Sequence, residues 1–194
     1  MRAGRAGMMT SLAKLCFVCC CLASYTECLA LDILRDPIPG VLTLSGPIEH
    51  GDFLKFVRTL KAERQQAPKV RRLMISLSSE GGSFVEAIKF GRFAREAALT
   101  FVVGEQCYSA CFLVLVGGVN RILGPNAQVG IHRPYYDKSE FAELSLGNAE
   151  AAYKTLEFAA KEYLSRMDVP RPIVDRMFST PSSRIHVLRS GPGI

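Results

Sequence analysis

The residues best suited to chemistry lie in Gly104-Glu105-Gln106-Cys107-Tyr108-Ser109-Ala110-Cys111, which runs into the apolar block Phe112 to Val116. One serine stands between two cysteines where a strand pattern gives way to a helical one. A serine hydroxyl is a weak nucleophile until a base lies within hydrogen-bond reach and donors await the oxyanion that forms. A helix start supplies part of this: the Ala110 amide is one of the unpaired donors there, and the helix dipole favours negative charge. Serine is also a preferred N-cap. The segment alone therefore leaves two readings open, nucleophile or cap.

Other residues bear on that choice. Gly81-Gly82 falls between a strand and a helix, where paired glycines let the chain turn sharply and let an amide face a ligand; a plain turn reads the same way. His132 follows the apolar strand Val129-Gly130-Ile131, where an imidazole can point off the sheet rim, although a lone histidine also serves as a packing residue. Cys107 and Cys111, four residues apart, suit a disulfide with Cα atoms toward the upper end of the roughly 4.4–6.8 Å bonding range. The other reading is two small buried side chains. A cysteine nucleophile ranks below serine because neither thiol occupies the helix-start position. Two cysteines without a histidine pair do not make a zinc site, so neither metal nor cofactor is expected.

The elements that must position these residues follow from hydrophobic spacing. Val41–Leu44, Leu73–Leu77, Thr100–Val103, Arg121–Leu123 and Val129–Ile131 read as strands. Asp52–Arg64, Ser83–Ala97, Ser109–Val116 and Asn148–Met167 show helical steps, for example Phe53, Phe56, Val57 and Leu60 on one face. Strands alternating with helices predict an α/β fold with a largely parallel sheet, in which chemistry collects where strands end and helices begin.

The 194 residues suffice for one domain with a full core, and 48% hydrophobic content argues against disorder. The first thirty residues stand apart. Arg2, Arg5 and Lys14 precede the apolar run Leu15 to Ala23, and Cys28-Leu29-Ala30 offers small residues at the two positions a signal peptidase reads. That order predicts a secretory leader over 1–30 with the working domain over 31–194, an alternative cut lying after Ala23. The apolar run is shorter than the roughly 20 residues of a membrane span. A periplasmic or secreted location is expected, with membrane contact only during export. Five of seven cysteines and three of 24 basic residues leave with the leader, together with one of 18 acidic residues, so the formal charge falls from +6 to +4. The remainder is too scattered to expect nucleic acid as a partner.

Taken together, SSEGGSFVEAIKFGRF and GEQCYSACFLVLVGGVNRILGPNAQVGIHRP resemble the Clp protease proteolytic subunit and its relatives in the ClpP/crotonase superfamily. LTLSGPIEHGDFLKFVRTLKA is similar to the family's opening strand, turn and first helix, and DRMFSTPSSRIHVL to its aspartate-bearing segment. The resemblance runs from about Gly40 to Leu188. It implies a ββα-superhelix with a largely parallel sheet and a protruding long helix. It also implies Ser109 as nucleophile, His132 as general base and acid, Asp175 as the carboxylate orienting His132, and the amides of Gly82 and Ala110 as oxyanion donors. Glu80 stands where the family usually has proline, and the interval from His132 to Asp175 is shorter than in the protease, which makes Asp168 and Asp137 fallback carboxylates. A lysine base, Lys138 or Lys154, is the mechanistic rival. His50 and His186 match nothing in the pattern.

The expected activity is an exported, ATP-independent serine peptidase. With no unfoldase or ATPase partner outside the cytosol, its substrates would be short or already unfolded peptides. A homo-oligomer is expected through Asn148–Met167, whose Tyr153, Phe158 and Tyr163 spread over more than one face. The alternative from another class is a catalytically silent scaffold that binds peptides or a partner protein, motivated by Glu80 and the short segment after Asp175. A crotonase-type acyl-CoA enzyme is a third reading, disfavoured because coenzyme A is cytosolic.

Overall fold

The computed structural model describes residues 30–135 and 145–188, so all but the last residue of the leader predicted over 1–30, together with Asp137 and Lys138, lie outside the described residues. Among the described residues five helices flank one mixed sheet. Its strands are β1 (Asp32–Arg35), β2 (Val41–Ser45), β3 (Met74–Ser79), β4 (Thr100–Tyr108), β5 (Asn120–Leu123), β6 (Gln128–Ile131) and β7 (His186–Leu188). The helices are α1 (Asp52–Gln66), α2 (Phe84–Glu96), α3 (Ala110–Gly117), α4 (Leu146–Arg166) and α5 (Arg171–Ser179).

The sheet runs β1-β2-β3-β4-β6-β7, with β5 beside the first half of β4. The four inner pairings, β2–β3, β3–β4, β4–β5 and β4–β6, are parallel, as expected of βαβ units. Antiparallel β1 and β7 close the two ends and make the sheet mixed. Neither edge strand shows the run of apolar residues that marks an inner strand: β1 exposes Leu34, and β7 exposes Val187.

β4 is longer than its sequence suggests. Leu77 pairs with Val103, but Ser79 already pairs with Cys107, so β4 advances four residues while β3 advances two. This irregularity absorbs the polar Gly104-Glu105-Gln106 and lets the strand switch neighbours from β5 to β6.

α3 lies at the centre of the core, with every residue from Ala110 to Gly117 buried. A helix end so enclosed must find partners for its terminal carbonyls. Arg95 provides them, its guanidinium donating to Val116 O at 3.1 Å and Gly117 O at 3.2 Å, and to Met167 O at 3.0 Å. Tyr163 of α4 donates to Leu113 O at 2.6 Å and fastens the long helix onto α3. Burial raises the Tyr163 phenol well above its ordinary pKa, so it remains a donor.

The start of α1 is organised from outside. Its N-cap is Gly51 at φ 93°, with no side chain to offer. Buried Glu86 of α2 accepts from Phe53 N at 3.1 Å in its place, while Ser83 caps α2 by accepting from Glu86 N at 3.3 Å. Burial alone would raise the Glu86 pKa. The bond from Lys89, the Phe53 amide and the Lys89 charge outweigh it and hold the carboxyl below its ordinary value.

Candidate active site

β4 and β6 lie side by side, Tyr108 opposite Gly130, so the chain leaves the sheet at Ser109 on one strand and at His132 on the next. Adjacent strands run about 4.8 Å apart. The Ser109 amide donates to Gly130 O at 2.9 Å, extending the ladder one residue into the turn.

Ser109 answers the question its sequence position poses. Its backbone sits at φ 56°, ψ −122°, and its side chain makes no capping bond to α3. Such a conformation costs a non-glycine residue of order 1–3 kcal/mol and persists where the surroundings impose it. A helix cap needs no positive φ. Strained strand-to-helix turns of this kind are known for holding a nucleophile clear of the backbone. Cys107 and Cys111 are joined by a disulfide with Cα atoms 5.2 Å apart, mid-range rather than near the upper limit, and both are fully buried. The bond clasps the turn from beneath.

The Gly81-Gly82 turn packs directly on this elbow. Gly81 and Gly82 have φ of 110° and 133°. A Cβ on Gly81 would come within 2.7 Å of Ser109 Cβ and 2.9 Å of Ala110 N. The turn is held from the other side by Ile48, whose N donates to Gly81 O at 2.7 Å and whose O accepts from Ser83 N at 2.7 Å. These bonds bypass the Gly82 N–H. Neither it nor the Ala110 N–H, the first of α3, donates to a described residue. Among the described residues nothing competes with a ligand oxygen for either donor.

His132 is buried and its Nδ1 lies 2.8 Å from Arg133 O. A carbonyl only accepts, so Nδ1 carries the proton; in the neutral ring Nε2 then holds the lone pair, which is the form a general base requires. Tyr135 packs beside the ring, centroids 5.8 Å apart. Ser109, Ala110, Gly82 and His132 all line one groove of about 660 Å³, walled by Phe84, Val85, Leu113, Leu156 and Met177.

Asp175 does not join them. Its side chain is 69% exposed and pairs with Arg171 at 3.8 Å, and no carboxylate among the described residues pairs with His132. The cause is helical geometry. α5 buries Met177 toward the groove, and a residue two positions earlier lies about 200° around the helix, facing solvent. Asp168, the fallback, is exposed and pairs with Arg95 at 3.3 Å. Lys154 is exposed on α4 and bonded to Glu150 at 2.7 Å; that bond and the Glu150 charge raise its pKa, which does not suit a base. Glu80 is exposed and does not line the groove, whereas His50, set aside on sequence, does.

The apolar walls and the Arg133 carbonyl escape sequence reading. Phe84, Leu113 and Leu156 look like core positions, and every residue carries a carbonyl. His186 belongs to β7, opposite Ile131. Among the described residues no group of three or more His, Cys, Asp or Glu is placed to hold a metal ion, and no helix is long and apolar enough to cross a membrane. In comparisons with known proteins, no family profile matches the chain and no curated protein matches it significantly.

Proposed function

We propose that this chain is an exported serine hydrolase of the ClpP/crotonase type, a peptidase acting through an acyl-enzyme. The observation that carries the reading is the strained, uncapped Ser109 opening into the same groove as a buried, Nδ1-protonated His132. Ser109 attacks a carbonyl carbon, His132 Nε2 takes its proton and returns it to the leaving amine, and the Gly82 and Ala110 amides stabilise the oxyanion. Arg133 O replaces a carboxylate in fixing the imidazole tautomer. It stabilises the imidazolium less than a full charge, so the enzyme is a slow one for its class.

The groove is open and apolar-walled, and its proposed substrates are short or unfolded peptides. Leu146 and Phe158 are strongly exposed on α4 and support the proposed homo-oligomer through that helix. The test is labelling with a fluorophosphonate, which requires an activated serine. The folded protein should label at Ser109, and Ser109→Ala and His132→Ala should not.

A second reading, a silent scaffold binding peptides in the same groove, is favoured by the outward Asp175. Absence of labelling in folded protein, with peptide binding retained in Ser109→Ala, would establish it.

A further inference from the structure

Leu31 is the residue that follows the leader expected over 1–30. It is 2% exposed, while Ala30 before it is exposed. Its backbone N lies 3.3 Å from Asp52 Oδ2, and its carbonyl accepts from Lys55 Nζ at 2.6 Å. Asp52 is itself 5% exposed, and the same Oδ2 accepts from Glu49 N at 2.7 Å. The Leu31 side chain lines a small apolar space with Ile48, Leu77, Phe90 and Cys111, directly under the elbow. This residue also follows the small-residue pair Cys28 and Ala30 that a signal peptidase reads.

We propose that cleavage between Ala30 and Leu31 turns this buried amide into an α-ammonium that pairs with Asp52 and locks the oxyanion turn. Water adds to the Ala30 carbonyl carbon, the bond to Leu31 N breaks, and the released amine takes up a proton at neutral pH, leaving the leader as a carboxylate. An N–H bond to a carboxylate thereby becomes an ion pair, the stronger interaction. A buried ammonium left unpaired would be costly, and Asp52 is the carboxylate already in place. The connection to the site is short: Asp52 holds Glu49, its neighbour Ile48 holds Gly81 and Ser83, and Gly82 between them carries the oxyanion amide. This second half rests on the role proposed for Gly82; the lock itself does not.

The full chain, exported with its own leader, should carry Leu31 as its first residue by N-terminal sequencing. Three variants complete the test: Ser-Gly inserted between Ala30 and Leu31, Asp52→Asn, and both together. The insertion should lower Tm by roughly 5 °C for a domain of this size and slow fluorophosphonate labelling about tenfold. Asp52→Asn should cost a similar amount alone and little more beside the insertion, because the two remove one interaction. The Leu31 α-amine should resist acetylation by an N-hydroxysuccinimide ester about tenfold better in wild type than in Asp52→Asn, a readout that stands if the inserted chain does not accumulate. A different first residue, additive effects on Tm, or equal acetylation rates would each overturn the proposal. If no form labels while the Tm coupling holds, the lock stands and the hydrolase reading falls.

Discussion

Gly81 and Ser109 touch: no side-chain atom fits between them, since even a methyl on Gly81 would lie 2.7 Å from Ser109 Cβ. The glycine turn and the Ser109 turn are therefore one packed unit, although 28 positions apart in sequence numbering. Gly81→Ala should break both halves. The methyl meets backbone at Ala110 N and Tyr108 O, which cannot swing away, and φ of 110° is itself unfavourable for alanine. A stability loss of about 1–3 kcal/mol by urea titration is expected. Labelling of the folded fraction should fall about 100-fold, the order expected when an oxyanion donor is misplaced.

Asp175→Ala separates the arrangement expected from sequence from the one found. With Asp175 turned to solvent and Arg133 O holding His132, the substitution should change the labelling rate by no more than about twofold. In a working triad, loss of the aspartate's function costs about 10⁴-fold. A loss on that scale with an unchanged Tm would return Asp175 to the site.

Removing the clasp beneath the elbow tests what keeps Ser109 in its conformation. The paired substitution Cys107→Ala and Cys111→Ala should cost about 2 kcal/mol, as for a short cross-linked loop. Labelling should fall by more than the folded fraction does, because the turn can then relax toward an ordinary helix start. Equal labelling per folded molecule would show that strand pairing alone imposes the strain.

Glu86 supplies a pH dependence. Its folded-state pKa lies below the ordinary 4.5. Between the two values the unfolded chain binds more protons than the folded one, so the carboxylate's contribution is present above pH 4.5 and is lost as pH falls through the folded value. Glu86→Gln should lower Tm clearly at pH 7, by roughly 1–3 kcal/mol of stability. The gap from wild type should narrow as pH falls below 4.5 through the folded value.

The inner sheet and its three crossing helices are readable from residue spacing because each packs one apolar face. Phe56, Leu60, Ala87 and Ala94 fall where that spacing puts them. β1 and β7 are not readable, since an edge strand paired on one side needs no sustained pattern. The second half of β4 is hidden by Gly104-Glu105-Gln106, which resembles a turn. The meeting of Ser109 and His132 in one groove is legible from residue type and from their places at the ends of neighbouring strands. The orientation of Asp175 is not, because it depends on Arg171–Ser179 closing into a helix, and Pro172 early in that segment masks its periodicity. Proline is tolerated in a first turn, where its missing N–H would lack a partner anyway.

The last described strand borders the one that leads to His132, and Thr180 O accepts from Arg133 N at 3.0 Å. A ribosome must therefore pass Leu188 before the imidazole gains its neighbours on that side. Products of synthesis that stop short of it would hold His132 without those supports, so Ser109 and a settled His132 come together only after that strand is made.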